Sequence, residues 1–214
     1  MSSSTINRDE FFSRWSALHG GAEIKGIVRI WLTISFSLCR GLSLLRITPN
    51  GLTYISLVFG GFYLYFINSH WAIAFLVFSL MADGLDGTLA IITDRVSRWG
   101  ATLDSVVDRV VESIWAIGLF HLGAPWQFVL VAWSAAFAQE YMRARAGGLG
   151  IHEIGIVTIS ERPVRATFIF IALIGRVVGI DVTSAVAAIW MVMQLFSAIT
   201  VLRVLRPLLQ QSPR

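Results

Sequence analysis

Four aspartates, Asp83, Asp86, Asp104 and Asp108, lie in a stretch otherwise apolar enough to cross a bilayer. One Asp at the centre of a membrane helix costs about 2.5–3.5 kcal/mol. Four so close together are tolerable only if a cation neutralises them or water reaches them. Asp83 and Asp86 are three residues apart, and Asp104 and Asp108 four apart. On helices, each pair then shares one face. Two facing helices would offer four carboxylates to one small volume. Hard cations such as Mg2+ take oxygen ligands and share their shell with substrate phosphates. Two ions about 3.5–4 Å apart could stabilise both the attacking and the leaving oxygen of a phosphoryl displacement. The pattern points to metal-assisted phosphoryl transfer, with Mg2+ or Mn2+ and two ions in the site. Gly84 and Gly87 remove side chains beside the acids. That allows close helix approach, or room for a substrate headgroup.

Other readings of the acids are weaker. Arg95, Arg98 and Arg109 could pair with them, but the acids outnumber these partners. A proton relay or a divalent-cation transporter would spread its acids through the membrane depth. Here they cluster at one end of their segments.

The elements that must position these residues are helices in a membrane. Of 214 residues, 56% are hydrophobic and 14% charged, and the mean hydropathy is +0.70. A soluble domain carries about 25% charged residues. The net charge is +4, and Lys25 is the only lysine. Arginine forks suit phosphate better than a lysine point charge does. Nothing points to nucleic acid as a partner. Cys39 stands alone, which excludes an intrachain disulfide and a cysteine-based zinc site. Met1–Glu10 lacks the basic-then-apolar layout of an export signal.

The expected fold is all-α: an integral membrane bundle of six transmembrane helices preceded by an amino-terminal interfacial amphipathic helix. Asp9–Gly20 mixes Phe11, Phe12, Trp15 and Leu18 with Asp9, Glu10 and Arg14, as an interfacial helix does. Ile27–Leu45 is apolar, but Arg40 would lie deep in a span, which favours a second interfacial helix. Thr48-Pro49-Asn50 is a helix start. The spans follow over Leu52–Ile67, Trp71 to about Ile92, about Gly100–Phe120, Trp126 to about Tyr141, Pro163–Ile174 with flanks, and Val182–Val204. The domain division is residues 1–46 as an interfacial segment, 47–206 as a six-span catalytic domain and 207–214 as a tail. With a cytoplasmic amino terminus, the external turns at Asn68 and His121 carry no Lys or Arg, and the third carries only Arg176. The positive-inside rule then supports that orientation for a multi-pass protein, which is expected in the cell membrane. Both Asp pairs face the cytoplasm at the ends of the second and third spans.

The run Asp83-Gly84-Leu85-Asp86-Gly87-Thr88-Leu89-Ala90, followed by Gly100, Asp104 and Asp108, resembles the signature of the CDP-alcohol phosphotransferases. Every position matches except one: Ile91 stands where the family has Arg. The resemblance implies that Asp83, Asp86 and Asp104 hold metal and that Asp108 binds the second ion and acts as general base. It also implies that Asp83, Gly84, Asp86, Gly87, Ala90, Gly100 and Asp104 line the site of a CDP-linked donor such as CDP-diacylglycerol. An acceptor alcohol attacks the phosphorus bearing the lipid, and CMP leaves. A homodimer embedded in membrane lipid is implied too. The Ile91 departure points to compensation by Arg95 or Arg98, to a different donor, or to a weakened paralogue.

Between the fourth and fifth spans stand Tyr141-Met142-Arg143-Ala144-Arg145-Ala146 and Glu161-Arg162-Pro163-Val164-Arg165. These runs resemble the actinobacterial phosphatidylinositol-phosphate synthases within the family. The resemblance implies that Arg143, Arg145, Arg162, Arg165 and Arg203 bind the phosphate of a phosphorylated polyol, inositol 1-phosphate first among them. Several Arg in one pocket suit a dianionic phosphate. The bland alternative is that they enforce topology or meet anionic lipid, and Arg206 and Arg214 are read that way. No Gly-Lys-Leu-Lys-Thr type of run is present, which disfavours a phosphatidylglycerophosphate synthase. Trp71, Trp126 and Tyr141 read as interface anchors. His19, His70, His121 and His152 lack ligand spacing, and Glu112 reads as structural support.

Overall fold

A computed structural model describes residues 6–151 and 157–211. His152 and Arg214 lie outside the described residues. The chain forms α1 (Arg8–Leu18), α2 (Gly26–Leu44), α3 (Pro49–Tyr65), α4 (Trp71–Ile92), α5 (Arg98–His121), α6 (Trp126–Gly148), α7 (Arg162–Val177) and α8 (Thr183–Gln211). No strand occurs among the described residues.

Local chemistry starts and stops these helices. Asn7 caps α1, its Oδ1 accepting from the Glu10 amide at 2.8 Å, while Asp9 and Glu10 meet the positive end of the helix dipole. The chain leaves α1 through Gly20 and Gly21, both at positive φ, a conformation that costs glycine little. Thr48 Oγ1 accepts from the Gly51 amide at 3.1 Å, with Pro49 at the first helical position.

Among the described residues, three helices are long and apolar enough to cross a membrane: Gly26–Leu44, Trp71–Ile92 and Thr183–Gln210. The first is the segment whose sequence favoured the interface, and both its arginines are exposed. At 17 and 16 residues, α3 and α7 fall short of the roughly 20 that a span needs. In α5 the charges of Asp104, Asp108, Arg109 and Glu112 interrupt the apolar run. Helix α6 runs past Tyr141 to Gly148, so Arg143 and Arg145 ride on a helix, not on a connecting loop.

The chain separates into two compact units, Met1–Gly61 with Val77–Val111, and Phe62–Leu76 with Glu112–Arg214. In the first, Leu32, Ser35, Phe36 and Cys39 form the buried face of α2, at the three- and four-residue steps of a helical stripe. Leu32, Phe36 and Cys39 join Phe11, Leu52, Leu85, Leu89, Ile91 and Ile92 in one core. The amino-terminal segment is therefore packed into the same core as the acid-bearing helix. In the second unit α8 packs on α6 and α7. Ala146, Val201 and Leu205 form a further apolar cluster there.

Candidate active site

The first unit holds the acids. Helix α4 carries Asp83 and Asp86, and α5 carries Asp104 and Asp108. One carboxylate oxygen from each of Asp83, Asp104 and Asp108 lies within 4.8 Å of the other two, and all three side chains are half-buried. Three hard oxygen donors converging on one point fit a divalent cation of the Mg2+ or Mn2+ kind. Asp86 stands outside this group of three. It is buried, and its Oδ2 accepts a 2.6 Å hydrogen bond from the Thr53 hydroxyl on α3. Arg109 Nη2 lies 3.7 Å from Asp108 Oδ2.

The small residues among the acids do different things. A Cβ on Gly84 would stand 2.8 Å from the Trp31 ring of α2, so Gly84 serves close helix approach. A Cβ on Gly87 would meet nothing within 4 Å, so that surface stays open. Gly100 lies in the first turn of α5, its amide donating to Ser97 Oγ at 3.0 Å. Ala90 is half-buried. Ile91 is 4% exposed in the apolar core beside Phe11, Leu32 and Phe36. The position of the signature arginine is thus filled as a packing position. Arg95 and Arg98 are exposed.

The second unit holds the arginines. Arg143 on α6 donates to both oxygens of Glu161, at 2.9 and 2.6 Å. Arg165 on α7 is 1% exposed. It donates to both oxygens of Glu112 at 2.7 and 2.9 Å, to Glu140 Oε1 at 2.6 Å and to the Ser160 carbonyl at 3.0 Å. Arg162 lies 5.4 Å over the Trp115 ring, with its Nε 4.0 Å from Glu112. Glu112, Glu140 and Glu161 therefore gather Arg143, Arg162 and Arg165 into one charged assembly. Arg145 and Arg203 are exposed and take no ion pair among the described residues. Burial pushes the Glu161 carboxyl up, but the Arg143 fork and the Thr158 donors outweigh it and hold the group at about 2.

The chain matches the CDP-alcohol phosphatidyltransferase family over residues 46–202. It is 33% identical over 155 residues to the archaetidylinositol phosphate synthase of Pyrococcus horikoshii, covering 70% of this chain and 81% of that one. The chain belongs to the CDP-alcohol phosphatidyltransferase family. It is also 32% identical over 102 residues to the phosphatidylinositol phosphate synthase of Cutibacterium acnes, covering 43% of this chain and 47% of that one. Its fold resembles the crystal structure of Mycobacterium tuberculosis phosphatidylinositol phosphate synthase with CDP-DAG bound. The TM-score is 0.69 at 21% identity, over 80% of this chain and 92% of that one.

The family match contains all four acids and every arginine of the candidate set except Arg203, which lies one residue beyond it. Sequence reasoning missed Thr53 and Glu140. Thr53 is an ordinary helical threonine, and only the tertiary fold places it against Asp86. Glu140, an acid three residues before Arg143 on a helix that begins as an apolar span, was a signal open to reading.

Proposed function

We propose that this family member is a multi-pass membrane enzyme that transfers a phosphatidyl group from CDP-diacylglycerol to inositol 1-phosphate. CMP and phosphatidylinositol phosphate are the products. The observation that carries the reaction class is the convergence of Asp83, Asp104 and Asp108 within 4.8 Å.

Asp83, Asp104 and Asp108 would hold the divalent ions, with Asp86 as a fourth carboxylate braced by Thr53. Bound there, the ions would neutralise the charge of the donor diphosphate. Asp108 acts as general base and takes the proton from the acceptor hydroxyl. The acceptor oxygen bonds to the lipid-bearing phosphorus, and the bond to CMP breaks. Gly87 leaves open surface for the donor, and Ala90 and Gly100 add no bulk.

Arg143, Arg145, Arg162, Arg165 and Arg203 form the acceptor-phosphate set. Within it Arg165, enclosed by carboxylates, positions its neighbours, whereas Arg145 and Arg203 are exposed to an incoming anion. Relatives that make archaetidylinositol phosphate and phosphatidylinositol phosphate, by their names, support this acceptor. The positive-inside pattern supports a cytoplasmic active site, and a homodimer is proposed with it.

Incubation with CDP-diacylglycerol, Mg2+ and inositol 1-phosphate tests the proposal through the lipid product. A lipid bearing an inositol phosphate headgroup supports it. A glycerophosphate product formed instead from glycerol 3-phosphate keeps the reaction and replaces the acceptor.

A further inference from the structure

In the second unit, the apolar interior of α6 and α8 holds two glutamines, Gln139 and Gln194, both 0% exposed. Burying two side-chain amides is costly unless each finds partners. Gln194 Nε2 donates to Gln139 Oε1 at 2.9 Å. Gln139 Nε2 donates onward to Thr158 Oγ1 at 3.4 Å. On the other side, Ser160 Oγ donates to Gln194 Oε1 at 2.8 Å. The glutamine pair thus spans from Ser160 to Thr158, two residues of the segment that leads into α7.

Both ends of this chain of bonds reach the charged assembly. Thr158 donates to Glu161 Oε1 through its amide and its hydroxyl, each at 2.7 Å, and Glu161 receives Arg143. The Ser160 carbonyl accepts from Arg165 Nε at 3.0 Å, and its amide donates to Ser197 Oγ at 3.1 Å. The direction is dictated at one end. An ionised carboxylate only accepts. Thr158 must therefore donate to Glu161 and accept from Gln139. That turns the Gln139 oxygen to Gln194 and the Gln194 oxygen to Ser160. From the Ser160 hydroxyl to Glu161 every donor points the same way, an arrangement in which successive bonds strengthen one another.

We propose that Gln139 and Gln194 are positioning residues for the acceptor site. They clamp residues 158–161 from inside the helix pair and so fix where Glu161 sets Arg143 and where Arg162 begins α7. This rests on the reading of these arginines as the acceptor-phosphate set, and it assigns acceptor affinity to two buried amides that touch no substrate.

Thr158→Val and Gln194→Leu cut the chain at different links, and Thr158→Ser keeps the hydroxyl. CMP-release kinetics use CDP-diacylglycerol, Mg2+ and inositol 1-phosphate, with amide hydrogen exchange at Ser160 measured alongside. Both cutting variants raise the acceptor KM about tenfold, as loss of a hydrogen bond to a charged group does, with kcat and donor KM within about twofold of wild type. Exchange at Ser160 quickens in both, and Thr158→Ser behaves as wild type. An unchanged acceptor KM in both variants overturns the inference while leaving the acceptor reading in place. A parallel loss of kcat and of donor affinity also overturns it, because that marks a general loss of fold. Wild-type protein that uses no phosphomonoester overturns the acceptor reading and this inference together.

Discussion

Arg165 grips Glu112 through both carboxylate oxygens, at 2.7 and 2.9 Å, with the guanidinium 1% exposed. The two residues are 53 positions apart in the chain. Removing one partner of a buried pair leaves the other charge unbalanced, at a cost of about 3–5 kcal/mol. Arg165→Met is therefore expected to destabilise the protein on that scale, read by thermal unfolding in detergent. Pairing it with Glu112→Leu should recover part of the loss, with Glu140 left to Arg143 alone at 3.4 Å. A single variant as stable as wild type would show that the pair holds nothing together.

Asp108 is one of three carboxylates whose oxygens converge within 4.8 Å, and it is the one assigned as base. Asp108→Asn should lower turnover by at least about 100-fold, the usual worth of a positioned base. CDP-lipid binding should be largely retained. Asp83→Asn, at a carboxylate with no base role, should weaken Mn2+ binding measured by titration in the absence of substrate. Full activity in Asp108→Asn would remove the base assignment.

Much of this site was legible in the sequence, because three- and four-residue spacings fix shared helix faces without tertiary information. The acids are of that kind. Asp86 shows the limit. Its spacing from Asp83 places it on the right face, yet its partner Thr53 lies 33 residues away. The arginines show the same limit. Arg165 reads like Arg162 and Arg143 until Glu112 and Glu140 are folded against it. The helix order was legible from apolar runs, whereas the end of α6 was not. Arg143 and Arg145 look like a loop by hydropathy, but their helical backbone is indifferent to polarity on an open face. The amphipathic pattern of the amino-terminal segment points to an interface, but neither Phe11 nor Cys39 reveals which buried face it meets.

Ile91 is packed in an apolar core at the position where the signature has arginine. Ile91→Arg should therefore fail as a repair. Placing a guanidinium among Phe11, Leu32 and Phe36 costs several kcal/mol unless it escapes to water. A lower melting temperature with no gain in CMP release is expected. Higher activity in this variant would mean that the side chain reaches the donor site after all.

Glu161 is held at about 2, against an ordinary 4.5. A depressed carboxyl contributes stability that is complete above its unfolded value and fades as pH falls through its folded one. The stability difference between wild type and Glu161→Gln should thus stay level from neutral pH down to about 5, then shrink towards pH 2. Melting temperatures of both proteins across that range read it directly. A difference that widens on acidification would contradict the Arg143–Glu161 pairing.

The most direct test of the central claim is CMP release from purified protein supplied with CDP-diacylglycerol and Mg2+ or Mn2+. Parallel reactions contain inositol 1-phosphate, myo-inositol, glycerol 3-phosphate or no acceptor. The expected result is metal-dependent release with inositol 1-phosphate and little with unphosphorylated myo-inositol. No release with any of them, from protein that still binds Mn2+, would contradict the assignment of Asp83, Asp104 and Asp108 to phosphatidyl transfer.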